Sequence, residues 1–139
     1  MVTFRGWYRG GKRCEVEHID STSRLMTAAP KDNNGDGSTF SPTDLCTTSL
    51  VTCMMTVMGI VADRNGLDLT GSRYSFEKTM SSDSPRRIAV ITANFHLPAH
   101  LLSDQRQLLE GAALNCPVYH SLHADIEKKI SFIYDVTGL

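Results

Sequence analysis

The first thirty residues alternate between side chains of different polarity, which is the pattern of short strands. A largely apolar stretch over residues 2–8 ends at the glycine-rich turn 9–12, and residues 13–18 then alternate charged side chains with Cys, Val and His. A third short run covers residues 23–27. A period of two is typical of strands that bury one face, and paired glycines favour hairpin turns. The N-terminal segment is therefore predicted to be a small antiparallel meander of three strands.

Strong local signals at residues 41–44 predict the start of a long helix. Ser41 is a favourable N-cap, Pro42 suits the first helical position, and Asp44 completes a capping box. The pair Asn65-Gly66 supplies a C-terminal stop, so the helix is predicted to run for about 22 residues. Because residues 50–61 are apolar nearly all round the helix, we predict that it is central and buried.

The second half of the chain predicts a mixture of strands and helices. The predicted elements are strands over 69–78 and 87–97, helices over 104–114 and 117–122, and a strand over 128–134. Both sides of the segment 87–97 are fairly apolar, so it is predicted to have two covered faces. Ser103 is the expected cap of the first of these helices, and its apolar stripe is Leu108, Leu109 and Ala112. The order βββ–α–ββ–α–α–β indicates an α+β fold in a single domain, 1–139.

Composition and charge narrow the class of protein. The 139 residues carry 14 Lys and Arg against 15 Asp and Glu, a net charge of −1, so nucleic-acid binding is not expected. The first residues show no basic segment followed by an apolar one, which predicts no signal peptide. The longest apolar run, 50–62, is too short to span a bilayer. A soluble cytoplasmic protein without a membrane partner is expected, with its four cysteines reduced rather than held in structural disulfides.

The cysteines are the candidate chemistry, and their local settings differ. Cys46 and Cys53 lie seven positions apart on one face of the long helix, too far apart along its axis to bond to each other. A reactive Cys53 needs a cation from another segment, because its neighbours offer none. Cys116 precedes Pro117 at the expected N-cap of a short helix, where the helix dipole favours a thiolate and lowers the thiol pKa. Cys14, in a strand, is predicted to be a packing residue.

Two metal sites are weaker alternatives. His120 and His123 are three positions apart and, with Cys53, offer ligands that zinc accepts, although such histidine pairs are common on exposed helices. Residues 32–37 match the start of a calcium-binding loop, but the bidentate Glu required at its twelfth position is Thr43 here. A flexible Asn/Gly turn explains this loop better, and no bound metal is predicted.

The two cysteine contexts together resemble a known family. The segment Ser41-Pro42-Thr43-Asp44-Leu45 opens the helix that contains Cys53, and Asn115-Cys116-Pro117-Val118 follows, with the cysteines 63 positions apart. This pattern resembles the OsmC/Ohr family of osmotically induced and organic hydroperoxide resistance proteins, closest to its OsmC-like branch. The resemblance implies an OsmC-like fold in an intertwined homodimer.

The resemblance also implies a chemistry for the cysteines. Cys53 would be the peroxidatic residue that attacks the hydroperoxide, and Cys116 would resolve the resulting sulfenic acid into a disulfide. An external dithiol would restore the pair, and no bound cofactor is expected. A non-catalytic OsmC-like protein that binds a small ligand or senses redox state is the alternative, and a metal-binding or purely structural dimer is a third.

In the family, an arginine from the N-terminal strands holds the thiolate and is oriented by a glutamate at the start of the long helix. The glutamate position falls on Thr43, which accepts a hydrogen bond but carries no charge. The candidates for the arginine are Arg13, Arg9 and Arg24. Which of them would serve is open at the level of the sequence.

Overall fold

A computed structural model describes residues 1–138, and the chain divides into two compact units, Met1–Cys46 and a second beginning at Thr47. The first unit contains the strands β1 (Phe4–Gly10), β2 (Arg13–His18) and β3 (Arg24–Ala28). They form an antiparallel sheet in the order β1-β2-β3. The predicted three-stranded meander is therefore confirmed.

The loop after β3 is held by a backbone hydrogen bond within itself and by a lysine side chain from the first hairpin. The Gly37 amide donates to the Ala29 carbonyl at 3.2 Å, and the Lys12 ammonium group contacts the Asn34 carbonyl. A side chain at Gly35 would lie 1.7 Å from the Ala29 carbonyl oxygen, so the loop passes too close to β3 for any other residue there. A lysine cation thus lies against the loop that resembles a calcium site.

The long helix α1 (Pro42–Arg64) begins and ends as predicted. The Asp44 amide donates to Ser41 Oγ at 3.1 Å, and the Ser41 amide donates to Asp44 Oδ2 at 2.8 Å, which completes the capping box. At the C-terminus, Gly66 adopts φ +67°, and the Leu67 amide donates to the Ala62 carbonyl at 2.9 Å. This left-handed closure satisfies carbonyls that the last helical turn leaves free.

Burial of α1 differs from the all-round burial that the sequence predicts. The residues buried within the chain lie on one face and are Thr47, Leu50, Val51, Met54, Met58 and Ala62. On the opposite face Ile60 is 45% exposed, and Cys53 is partly accessible. The correction has a physical cause: one chain of this size covers only one side of so apolar a helix.

By length and composition α1 also passes the test for a membrane-spanning helix, with a mean hydropathy of 1.8 over its most apolar 18 residues. The prediction from the shorter run 50–62 underestimates the length of this apolar segment. A third of that window is buried inside the chain, and core helices of soluble proteins pass the same test.

The second unit is built on the strands β4 (Arg73–Met80), β5 (Ile88–Pro98) and β6 (Glu127–Val136). The central strand β5 pairs antiparallel with β4 and parallel with β6. Two helices, α2 (Ser103–Ala113) and α3 (Pro117–Ser121), make the crossover that the parallel pair requires. The α+β class and the predicted order of elements are confirmed.

Two details of this unit differ from prediction. One face of β5 is fully buried, at Ile91, Ala93, Phe95 and Leu97, whereas its other face is half-buried, so only one face is well covered. Helix α2 starts one residue earlier than expected, which makes Ser103 helical; the cap is at Leu102, whose amide donates to the Gln105 side chain at 2.9 Å. This start buries Leu109 and Ala113 and leaves Leu108 45% exposed.

Candidate active site

Cys53 and Cys116 lie together in the second unit, although 63 positions separate them in the sequence. Cys53 is in the middle of α1 and is partly accessible. Cys116 is the N-cap of α3, has no exposed surface, and lies close to the Cys53 thiol. All four cysteines are free thiols, so the structure describes the reduced pair.

Backbone hydrogen bonds hold Cys116 at the corner between α2 and α3. Its amide donates to the Ala113 carbonyl at 3.3 Å, and its carbonyl accepts from the His120 amide at 3.3 Å. Its Sγ accepts the Tyr119 amide proton at 3.3 Å. Pro117 favours this arrangement, because its fixed φ suits the first helical position and it has no amide proton to satisfy.

The pKa of the Cys116 thiol is raised, in contrast to the prediction from its N-cap position. Burial is the largest cause, and the neighbouring Cys53 raises it further, while the Tyr119 amide lowers it. A helix of five residues has a weak dipole, so loss of hydration outweighs it. The raised pKa disfavours a thiolate at Cys116, which leaves Cys53 as the candidate nucleophile.

Arg13, the first candidate for the activating cation, is bound within its own unit. Its Nη2 donates to Asp36 Oδ2 at 2.7 Å and to Ser38 Oγ at 2.8 Å. Hydrogen bonds from Ser38 and Arg13 hold the pKa of the Asp36 carboxyl well below its usual range. A carboxylate from the loop after β3 thus orients Arg13, and the sequence offers no local signal for this pairing.

The other two candidates, Arg9 and Arg24, surround Trp7 together with Arg5. The three guanidinium carbons lie 5.3, 5.6 and 5.5 Å from the centre of the indole ring, within the range of cation–π attraction. This cluster is not expected from the sequence. The alternation of arginine and tryptophan along β1 is its only sequence signal.

Two carboxylates on β2 form ion pairs with the three arginines of this cluster. Glu15 accepts from Arg9 and from Arg24, and Glu17 accepts from Arg5 at 2.7 Å and from Arg24. Hydrogen bonds from Arg9 and Arg5, respectively, lower the pKa values of Glu15 and Glu17. These arginines are thus engaged in a charge network on the sheet.

Thr43, at the glutamate position of the family pattern, lies at the start of α1. Its hydroxyl is 3.1 Å from Ser41 Oγ. The nearest acid in sequence, Asp44, uses a carboxylate oxygen to cap the Ser41 amide. The start of α1 therefore supplies an uncharged hydroxyl at position 43 and a carboxylate engaged in capping.

The remaining candidates do not assemble with Cys53. His120 Nε2 bonds to the Asn115 side chain at 2.6 Å, and His123 lies near Asp125. Among residues 1–138 no group of three or more His, Cys, Asp or Glu side chains is arranged to hold a metal ion. Cys14, predicted to be a packing residue, is instead exposed, because it lies on an uncovered face of β2.

Comparisons with known proteins agree with this fold. The family model described as OsmC-like protein matches residues 35–131. A structure from Psychrobacter arcticus, of a protein named for osmotic stress induction and detoxification response, is 36% identical, with a TM-score of 0.89 over 95% of this chain and 96% of that one. No curated protein sequence matches this chain.

More distant structures share the fold. An organic hydroperoxide resistance protein from Legionella pneumophila is 18% identical, with a TM-score of 0.75 over 96% of each chain. The organic hydroperoxide resistance protein OhrB of Bacillus subtilis is 18% identical, with a TM-score of 0.67 over 95% of this chain and 97% of that one. The family match covers most of the chain and includes both cysteines of the pair, and the chain belongs to the OsmC family.

Proposed function

We propose that this protein is a thiol-dependent peroxidase that reduces organic hydroperoxides through Cys53 and Cys116. The observation that carries the proposal is the contact between a partly accessible thiol and a fully buried one, contributed by different elements. Hydroperoxide resistance is named for several proteins of the same fold. Val57, four positions after Cys53 and therefore on the same face of α1, is partly accessible and gives an apolar surface that suits an organic peroxide better than hydrogen peroxide.

The proposed reaction has two chemical steps. The Cys53 thiolate attacks the terminal oxygen of the hydroperoxide, which breaks the O–O bond, gives Cys53 sulfenic acid, and releases the alkoxide, which takes a proton to become the alcohol. The Cys116 thiol then attacks the sulfenic sulfur, and water leaves as the disulfide forms. Cys116 suits this second role because it already lies against Cys53 and remains protonated until needed.

The remaining parts of the proposal extend the family pattern to this chain. Arg13 is the proposed activating cation, with Thr43 at the position of the orienting acid. The working form is proposed to be a cytoplasmic homodimer, in which a second copy packs on α1 at Ile60, which is 45% exposed, and leaves Cys53 accessible. The reductant is proposed to be an external dithiol.

The proposal is tested by following the loss of cumene hydroperoxide in the presence of dithiothreitol. Cys53→Ser is expected to lower the rate at least a hundredfold, because no other cysteine occupies its position. In a separate assay without dithiothreitol, Cys116→Ser is expected to consume one equivalent of peroxide and to accumulate the Cys53 sulfenic acid, whereas the wild type forms the disulfide, because only the wild type has a resolving thiol. Cys14→Ser, at an exposed cysteine outside the pair, is the matched control and is expected to retain the wild-type rate.

A redox-sensing or ligand-binding role is the second candidate, and the site gives it a specific basis. Thr43 carries no charge, and Arg13, Arg9 and Arg24 are each bound to carboxylates. One related hydroperoxide resistance protein, from Vibrio cholerae, has captopril bound in one of its active sites, so this fold accommodates a small molecule there. Formation of the Cys53–Cys116 disulfide without catalytic turnover would favour the sensor and contradict the peroxidase.

A further inference from the structure

We propose that the oxidised pair is reopened by attack of the external dithiol on Cys53 Sγ, with Cys116 Sγ as the leaving group. The inference rests on the proposed redox role of this pair and adds which sulfur the reductant meets. Cys53 would then react with the peroxide and also form the mixed disulfide with the reductant. Cys116 would react only with Cys53, inside the protein.

Access to the two sulfurs supports this direction. Cys116 has no exposed surface, whereas Cys53 is partly accessible on the less buried side of α1. A thiolate attacks a disulfide sulfur from the side opposite the bond that breaks. Attack on Cys53 therefore comes from the open side of the pair, but attack on Cys116 would have to come through the packed interior.

The surroundings of Cys116 suit a leaving group. The Tyr119 amide donates to its Sγ at 3.3 Å, and this donor belongs to the turn of α3 rather than to the disulfide. The same amide therefore meets the negative charge that develops on Cys116 as the bond breaks. Because burial raises the pKa of the Cys116 thiol, the released thiolate readily takes up a proton.

Leaving-group acidity acts in the opposite direction. Exchange expels the more acidic thiol faster, and Cys116 has a raised thiol pKa. Acidity changes the rate of an attack that can occur, but a sulfur without exposed surface offers the attacking thiolate no approach. Access therefore decides between the two sulfurs.

The electrons and atoms balance over two exchanges. The first thiolate of the dithiol bonds to Cys53 Sγ, the Cys53–Cys116 bond breaks, and Cys116 is protonated. The second thiolate of the dithiol then attacks its own mixed-disulfide sulfur and releases Cys53 as a thiolate. One dithiol is oxidised to its disulfide, and one protein disulfide is reduced.

The test maps the first exchange in the full chain with Cys14 and Cys46 replaced by serine, so that only the pair remains. The protein is oxidised in separate samples by cumene hydroperoxide and by diamide, treated briefly with glutathione as a monothiol probe, quenched in acid and labelled with N-ethylmaleimide in denaturant. Peptide mass spectrometry then shows which cysteine carries glutathione and which carries maleimide. We expect glutathione on Cys53 and maleimide on Cys116, in at least tenfold excess over the reverse.

Each outcome bears on the inference. Glutathione mainly on Cys116, or equally on both cysteines, overturns it, and so does failure of diamide to form the disulfide. A disulfide formed by diamide but not by the hydroperoxide contradicts the peroxidase proposal, while the position of glutathione still decides the inference. The exchange is repeated at several pH values. A preference that follows access should persist as the ionisation of the thiols changes with pH.

Discussion

Arg13 is bonded to Asp36 through a 2.7 Å contact between Nη2 and Oδ2. The same nitrogen donates to Ser38 Oγ at 2.8 Å. The guanidinium is therefore fixed to the loop that follows β3. The loop thus supplies a carboxylate to Arg13, whereas position 43 holds an uncharged threonine.

The Arg13–Asp36 pair predicts a pH-dependent contribution to stability. The folded state holds the pKa of Asp36 below its unfolded value of about 4, so the stabilisation is present above that pH and is lost as the pH falls toward the folded pKa. Asp36→Asn is expected to lower the thermal unfolding midpoint at pH 7, and the difference from wild type should shrink progressively below pH 4. Thermal unfolding followed by circular dichroism measures both.

Asp20→Asn is the matched control, at a turn where the described residues 1–138 place no arginine against the carboxylate. The change in the unfolding midpoint that Asp20→Asn causes should not decline at low pH in the same way. An Asp36→Asn penalty of equal size at pH 7 and pH 3 would mean that the pair does not stabilise the folded state through its charge.

The cysteines are predicted to react with N-ethylmaleimide in the order of their accessibility. In the reduced protein at pH 8, Cys14 should react first, since it is exposed, and Cys116 last, since it is fully buried and its thiol pKa is raised. A difference of at least tenfold between these two is expected from timed labelling and mass spectrometry. In 6 M guanidinium the four rates should converge, and a Cys116 that reacts as fast as Cys14 in the folded protein would contradict the burial described here.

Two glycines predict opposite effects of the same substitution. Gly66→Ala should destabilise the protein by about 1 kcal/mol, because Gly66 closes α1 with φ +67°, a conformation that alanine adopts at a cost. Gly111→Ala, inside α2, should stabilise it by about 0.5–1 kcal/mol, because no atom lies within 4 Å of the new methyl group and alanine favours helix. Urea unfolding measures both, and effects of the same sign would contradict the two backbone assignments.

Tyr134 and Glu110 predict a loss of stability in alkali. The Tyr134 hydroxyl donates to Glu110 Oε1 at 2.6 Å, and burial together with this carboxylate raises the pKa of the phenol. Because the folded pKa is raised, the stabilisation is complete below the unfolded pKa of about 10 and is lost as the pH rises above it.

Tyr134→Phe should therefore cost about 1 kcal/mol at pH 7, and the difference from wild type should narrow between pH 10 and pH 12. Tyr74→Phe is the control, because Tyr74 contributes ring contacts with Phe76 and Phe95. Urea unfolding at each pH measures the difference. A Tyr134→Phe penalty that stays constant up to pH 12 would contradict the role of the phenolic proton.

The ends of α1 and the position of Cys116 are predictable from sequence because their causes are local. The pair Ser41 and Asp44 caps α1 within one turn, Gly66 terminates it, and Pro117 fixes the helix after Cys116. Each signal acts over four residues or fewer.

The partners of the arginines are not predictable in this way. Asp36 reaches Arg13 from a loop 23 residues away, and the charge network around Trp7 depends on the register of three strands. The sign of the Cys116 pKa shift also depends on tertiary burial, which outweighs the local dipole of α3. The residue types of the candidate site can be predicted from the sequence. The pKa shifts that their partners and burial impose on them cannot.

The parallel pairing of β5 with β6 places the approach of Cys53 and Cys116 late in folding. Strands β4 and β5 form a hairpin between near neighbours in sequence, whereas β6 joins only after the whole crossover that contains Cys116 has been made. Strand β6 then anchors α2 through the bond between Tyr134 and Glu110. A growing chain therefore displays Cys53 before Cys116 has been made, and the proposed disulfide can form only after the crossover that contains Cys116 has followed α1.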